Sequence, residues 1–249
     1  MSIVARQPHS AGELRRAAMA LVACPTSSIG SVHKQDVRAA SRAFPERITE
    51  GVYYCGYAAE SSFGASSWLI VRPQGNVLVD SPRAAGPLLD NIDALGGVRT
   101  ILLTHRDDVA DHEKLARRFG CERVLHAADQ THDTRAVERA LTGTEPIALA
   151  DDLLVIPVPG HTRGSVALLW NQVLLTGDHL WGSESGERLH ASRGVCWHSW
   201  PEQTRSMERL LAHDFTWVLP GHGATFHRDT PEAMRAALGA LLIQMKARG

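Results

Sequence analysis

The sequence predicts an α/β fold in which two β-sheets pack face to face with helices on the outside. Two observations carry this. The chain has two β-rich halves separated by helical stretches. Four short apolar strands each run straight into an imidazole or a carboxylate, at His105, His161, Asp178 and His222. Strand ends on one edge of a sheet lie close together, so residues far apart in the chain converge there.

The elements follow in order. Residues 12–24 have helical composition, with Leu14, Ala17, Ala18, Ala20 and Leu21. Residues 25–47 are polar and irregular, so 1–47 is expected to be an N-terminal extension and 48–249 one main domain. Residues 51–55 suggest a strand. Residues 66–71 and 77–79 suggest a hairpin with Gly75-Asn76 in its turn. A helix over 85–95 stops at Gly96-Gly97, and residues 100–104 form a buried strand ending at His105. Asp108 is suited to cap a helix from Val109 to Phe119, closed by Gly120. A strand at 124–125 and a helix at 133–141 precede the second β-rich half. There, strands at 153–158, 165–170 and 173–175 lead to His161 and Asp178. A helix over 201–211, a strand over 217–219 ending at His222, and an amphipathic helix over 231–247 complete the chain.

Composition narrows the function. The formal net charge of −1 over 249 residues gives no basic field for nucleic acid or a membrane surface. No run of 18 apolar residues suggests a membrane span. The apolar stretch 18–23 is short and runs into Cys24-Pro25, which makes a poor secretory signal. The four cysteines are scattered without a C-x-x-C pair. The chain is therefore expected to be cytoplasmic and free of disulfides. Ala23-Cys24-Pro25 resembles the end of a bacterial ferredoxin cluster motif, but the other three cysteines of such a motif are missing.

Imidazole and carboxylate are the common ligands of zinc and other first-row metals. Each candidate also has a plainer reading. A strand-end histidine is often only hydrogen-bonded, Asp107, Asp108 and Asp111 suit a helix start, and Gly160-His161-Thr162 suits a turn. Their order along the chain is what gives them weight.

That order is Thr104-His105-x-Asp107-x-x-x-Asp111-His112, Pro159-Gly160-His161-Thr162-x-Gly164-Ser165, Leu175-Thr176-Gly177-Asp178 and Leu219-Pro220-Gly221-His222-Gly223. Over residues 48–230 it resembles the motif set of the metallo-β-lactamase superfamily, and within it the glyoxalase II-like hydrolases. The resemblance implies a four-layered αββα sandwich, with 48–249 as its catalytic domain. It implies His105 and His161 as ligands of a first metal, Asp111, His112 and His222 as ligands of a second, and Asp178 as the bridge. The implied cofactor is zinc, two ions, with iron or manganese as alternatives. The implied reaction is attack of a metal-bound hydroxide on a small ester or thioester, with Asp111 and Asp178 as the catalytic carboxylates. Trp181, Trp197 and His198 are candidate substrate contacts. The expected partner is a small-molecule substrate, with neither nucleic acid nor membrane, and a homodimer is an option.

The first motif departs from the family's H-x-H-x-D-H form. Asp107 stands where a second histidine belongs, and two extra residues precede Asp111-His112. Asp107 or Asp108 is then a candidate oxygen ligand. Two residues turn a helix by about 200°, so a helical insertion would swing Asp111-His112 away, whereas a loop insertion would not. Two other readings stay open: a mononuclear iron enzyme resembling the persulfide dioxygenases, on His105, His161 and Asp178, and a scaffold without catalysis.

Overall fold

The computed structural model describes residues 6–32 and 36–247; the start of the expected extension, residues 1–5, and residues 33–35 lie outside them. Helices α1 (Ala11–Ala23) and α2 (Arg38–Ser41) lead into β1 (Glu46–Thr49). The first sheet continues with β2 (Val52–Tyr54), β3 (Trp68–Ile70) and β4 (Val77–Val79). After α3 (Gly86–Ala94) come β5 (Thr100–Leu102), α4 (His112–Phe119), β6 (Glu122–His126) and β7 (Arg139–Leu141). These seven strands pair in chain order, antiparallel as far as β4 and parallel from β4 to β7.

The second sheet holds β8 (Ile147–Ala150), β9 (Leu153–Pro157), β10 (Val166–Trp170) and β11 (Val173–Gly177). A small ribbon, β12 (Trp181–Gly182) and β13 (Leu189–His190), stands apart, followed by α5 (Trp200–Leu210). Strands β14 (Trp217–Pro220) and β15 (Phe226–His227) complete the second sheet in the order β15-β14-β11-β10-β9-β8, before α6 (Pro231–Ala247).

Alternation along the strands makes four layers. Trp68, Ile70, Val77, Val79 and Leu102 face Val155, Val166, Leu168 and Leu175 in one core between the sheets. Their neighbours Leu69, Leu78, Ile101 and Leu103 face outward and bury against Leu88, Ile92 and Leu115 of α3 and α4. On the far side, Ile156, Ala167, Leu174 and Val218 pack on Met207 and Leu210 of α5 and Leu238 of α6. Successive strand residues point to opposite faces, so strands covered on both sides must be apolar throughout. The helix at the start of the chain joins this body: Met19 is buried in the outer core of the first sheet, and Arg83 Nη2 donates to the Val22 carbonyl.

Two expected helices need correction. No helix forms over 133–141: residues 132–136 are turns and Arg139–Leu141 form the edge strand β7. Leu141 is buried between the sheets, and the carboxylate of Glu138 accepts from the backbone and guanidinium of Arg123 on β6. Those cross-strand contacts outweigh a weak helical pattern. The helix expected from Val109 starts at His112. Ala110 sits at φ 24, outside helical geometry, and its N–H donates to Ser62 Oγ. The two extra residues are therefore absorbed in a loop before α4.

Candidate metal centre

Four chain segments meet at one edge of the sandwich. His105 lies just beyond β5, His161 in the turn after β9, Asp178 directly after β11 and His222 just after β14. Strands β11 and β14 are parallel, with Gly177 in register with Pro220, so Asp178 and His222 leave the sheet together. Val166 N–H donates to the Thr104 carbonyl and joins the two sheets beside His105.

Two glycines allow the close approach. A Cβ on Gly177, at φ +49, would lie 2.3 Å from Thr104 Oγ1. A Cβ on Gly221 would lie 2.8 Å from both Asp108 Oδ2 and Asp178 Oδ1. The Gly177-Asp178 and Gly221-His222 pairs thus have a steric cause: the Thr104 side chain at Gly177, and the two carboxylates at Gly221, occupy the space that side chains would fill.

Hydrogen bonds fix the imidazoles with one nitrogen inward. His161 Nδ1 is 2.6 Å from the Val195 carbonyl, which only accepts, so Nδ1 carries the proton and Nε2 presents its lone pair. Thr104 Oγ1 lies 3.0 Å from both Asp80 oxygens and 3.0 Å from His105 Nδ1. The hydroxyl gives its one proton to the carboxylate and accepts from His105 Nδ1, which frees Nε2 in the same way. Buried Asp129 braces both loops, accepting from the backbone N–H of Arg106 and Gly164 and from Thr162 Oγ1.

The inward atoms surround one point. Asp178 Oδ2 lies 3.9 Å from His105 Nε2, 3.8 Å from His161 Nε2 and 3.8 Å from His222 Nε2. Asp107 Oδ2 is 3.6 Å from His161 Nε2. Asp108 reaches His105 Nε2 at 3.8 Å and His222 Nε2 at 3.7 Å. These distances are too long for hydrogen bonds. They suit donors sharing an ion, because two ligands each about 2.0–2.2 Å from zinc stand at most about 4.4 Å apart.

The buried atoms agree. His105 Nε2, His161 Nε2, both oxygens of Asp108 and Asp178 Oδ1 are buried without a hydrogen-bond partner. Unpaired buried groups of this kind are costly, and cations satisfy them. The charges strain against one another. Burial, and then the negative charge of Asp108, raises the Asp178 carboxyl, and the same two causes push Asp80 well up. Asp108 draws His222 up to about 9. Burial lowers His161, but the contact with Asp107 and the charge of Asp178 overcome it, and the net shift is upward. Asp107 is held low, chiefly by His161.

The structure therefore brings together His105, Asp107, His161, Asp178 and His222, and of the two alternative oxygen ligands, Asp107 and Asp108, it places both at the centre. The expectation for Asp111 and His112 is corrected. Asp111 Oδ2 accepts from Ala84 N–H at 2.9 Å and Oδ1 from Lys114 Nζ at 2.7 Å. His112 Nδ1 faces Arg123 Nη1 at 3.4 Å, and burial with that guanidinium lowers its pKa. The two most compact donor groups are His105/Asp107/His161 and His105/Asp108/Asp178; His222 adjoins the second through Asp108 and Asp178, whereas the oxygens of Asp111 and Nδ1 of His112 are directed to other partners. The loop insertion places Asp108, not Asp111, against His222. An acidic pair directly after a strand end was the available signal, and the helix-cap reading hid it. Asp129 carried no motif, and Asp80 only closed the hairpin of residues 68–80, which resembles the family's early strands.

The candidate substrate contacts divide. Trp197 is 62% exposed, with its ring 6.2 Å from that of His161, and so stands free at the rim. His198 Nε2 is 3.1 Å from Glu202 Oε2, and its backbone N–H donates to the carbonyls of Gly160 and His161. Trp181 packs on His190 and against Gly223, where a Cβ would meet its ring at 2.4 Å. It buttresses the His222 turn.

Comparison with known proteins agrees with this geometry. A family model described as the metallo-beta-lactamase superfamily matches residues 52–238. A hydroxyacylglutathione hydrolase of Rhodospirillum rubrum is 29% identical over 160 residues, which span 62% of this chain and 60% of that protein. One from Acidiphilium cryptum is 30% identical over 196 residues, 74% of this chain and 77% of the relative. A solved metallo-beta-lactamase from Erythrobacter litoralis, 16% identical, superposes over 79% of this chain and 96% of its own with a TM-score of 0.60, a likeness of fold alone. On the match over residues 52–238, the chain belongs to the metallo-beta-lactamase superfamily.

Proposed function

We propose that the chain is a metal-dependent hydrolase that cleaves a small thioester. One observation carries the reading: buried, unpartnered imidazole and carboxylate atoms converge around Asp178. His105, His161 and Asp107 would hold one divalent ion, Asp108 and His222 a second, and Asp178 would serve both. Such ions polarise a carbonyl and make water nucleophilic near neutral pH.

The chain's own residues then have separate tasks. Val195 and Thr104 keep the His161 and His105 lone pairs inward. Asp108, with both oxygens unpartnered and directed to the centre, accepts a proton from the attacking water. Exposed Trp197 offers the acyl portion an apolar face beside His161. The thioester class is supported by the two hydroxyacylglutathione hydrolases to which the chain is similar. The donors beyond a two-histidine, one-carboxylate set favour this reading over a mononuclear oxygenase.

The test is metal content and thioester cleavage together. The full chain, reconstituted with divalent metal, is assayed on a hydroxyacylglutathione and a panel of smaller thioesters, beside Asp178→Ala and His161→Ala. Both variants are expected to lose bound metal and to fall by about 10³-fold or more in turnover, the scale of a preorganised electrostatic group. Unchanged metal content and cleavage in both would overturn the proposal.

A further inference from the structure

The six donors are not spread evenly, and this inference rests on the two-metal reading above. The first position has two imidazoles, His105 and His161, with Asp107 and the shared Asp178. The second has a single imidazole of its own, His222, with Asp108 and the same Asp178; Asp108 spans the two positions, one oxygen 3.7 Å from His222 Nε2 and the other 3.8 Å from His105 Nε2. The imidazole expected there was that of His112, and its Nδ1 faces Arg123 instead. A further carboxylate, Asp80, is buried behind Asp108. Its oxygens accept from the backbone and hydroxyl of Thr104, so it is not a ligand.

We propose that the two positions differ in kind: the Asp108–Asp178–His222 position selects an oxygen-preferring divalent ion of the manganese class, while the His105–His161–Asp107 position favours zinc. Carboxylate and water suit manganese and magnesium, whereas imidazole suits zinc and iron. Three protein donors, two of them carboxylates, leave room for the waters that a six-coordinate ion retains. His222 is 36% exposed by side chain, so solvent reaches this position. Zinc binds most sites more tightly than manganese in absolute terms. The difference therefore lies in the ratio of the two affinities, compared between the two positions.

The experiment titrates the metal-free full chain with zinc or manganese alone, then repeats both titrations after one equivalent of zinc has been added. Binding is followed by calorimetry and by the EPR signal of Mn(II). The zinc-to-manganese affinity ratio is expected to be at least about tenfold smaller at the second step than at the first. Asp108→His, which restores an imidazole to the second position, is expected to remove most of that difference. The wild-type ratio decides the matter even if the variant does not fold. Two tight steps with equal ratios would overturn this inference and leave the two-metal reading standing. A chain that takes up neither ion would overturn both.

Discussion

Two neighbouring pairs, Asp107-Asp108 and Asp111-His112, meet opposite fates. Asp107 and Asp108 end a strand-to-loop passage with their oxygens turned to three imidazoles, and both Asp108 oxygens lack a partner. Asp111 and His112 begin α4; the Asp111 oxygens are taken up by Ala84 and Lys114, and Nδ1 of His112 faces Arg123. The pair that spells the family motif is structural, and the pair that does not spell it faces the centre. What assigns a ligand is which polar atoms the fold leaves unpaired, because a buried donor or acceptor is costly until something satisfies it.

The sharpest way to break this comparison is to neutralise one carboxylate from each pair. Asp108→Asn is expected to lower turnover by about 10²–10⁴-fold, the range for a proton-accepting carboxylate, and to weaken uptake of the second metal equivalent. Asp111→Asn is expected to keep metal content and turnover. It should cost about 0.5–1.5 kcal/mol of stability, the worth of a hydrogen bond or two at a helix start. Metal analysis, thioester kinetics and denaturant unfolding of the two variants decide it. Equal losses of metal would show that the loop does not separate the pairs.

A second variant asks whether the close approach at Gly221 is functional. Its backbone is not in the left-handed region, so Gly221→Ala carries no conformational penalty of that kind. The added methyl would sit 2.8 Å from one oxygen each of Asp108 and Asp178. Displacing both carboxylates is expected to weaken metal binding about 10–100-fold, the scale seen when groups that orient ligands are disturbed, with about 1–3 kcal/mol of overpacking strain. Metal affinity equal to that of the wild type would mean the carboxylates relax at no cost.

These predictions concern residues of uneven visibility in the sequence. His161, Asp178 and His222 were legible because each follows an apolar strand and sits beside a glycine, and both features have physical causes that the structure displays. The two sheets were legible for the same reason, since strands buried on both faces read as unbroken apolar runs such as Thr100–Leu103 and Leu153–Val158. Short edge strands were not: β1, β7 and β8 are half exposed and are held by partners distant in sequence. The choice among Asp107, Asp108 and Asp111 stayed open because an aspartate before a helical pattern also satisfies a local rule, that of the cap, and the left-handed turn at Ala110 is what removes Asp108 from that rule. Asp80 and Asp129 act through Thr104, Arg106, Thr162 and Gly164, contacts that no local pattern encodes.

The gentlest probe uses pH, to which the two regions respond in opposite senses. In the metal-free chain His222 is drawn up to about 9 by Asp108, above the ordinary histidine value of 6.5. A raised histidine pKa adds stability that is complete below 6.5 and is lost as pH climbs through about 9. The raised Asp178 carboxyl acts in the same direction, because the folded chain keeps a proton that the unfolded chain has already released. Beneath His112, Arg123 holds Glu138 down to about 2, from an ordinary 4.5, and Asp111 is also lowered. Lowered carboxylates add stability that is present above the unfolded value and is lost as pH falls. Glu138 is 46% exposed by side chain, so solvent screening keeps its share within about 1 kcal/mol. The unfolding midpoint of the metal-free chain should therefore drop between pH 6.5 and 9, while on the acid side the loss as Glu138 takes up its proton is opposed by Asp178 and Asp80, whose raised carboxyls favour the folded chain as pH falls. Added divalent metal should flatten the alkaline fall, since the ion replaces the proton that His222 and Asp178 would otherwise keep. A metal-free midpoint that holds level or rises from pH 6.5 to 9 would show that the centre is already satisfied without an ion, and the contrast between the two pairs would lose its physical basis.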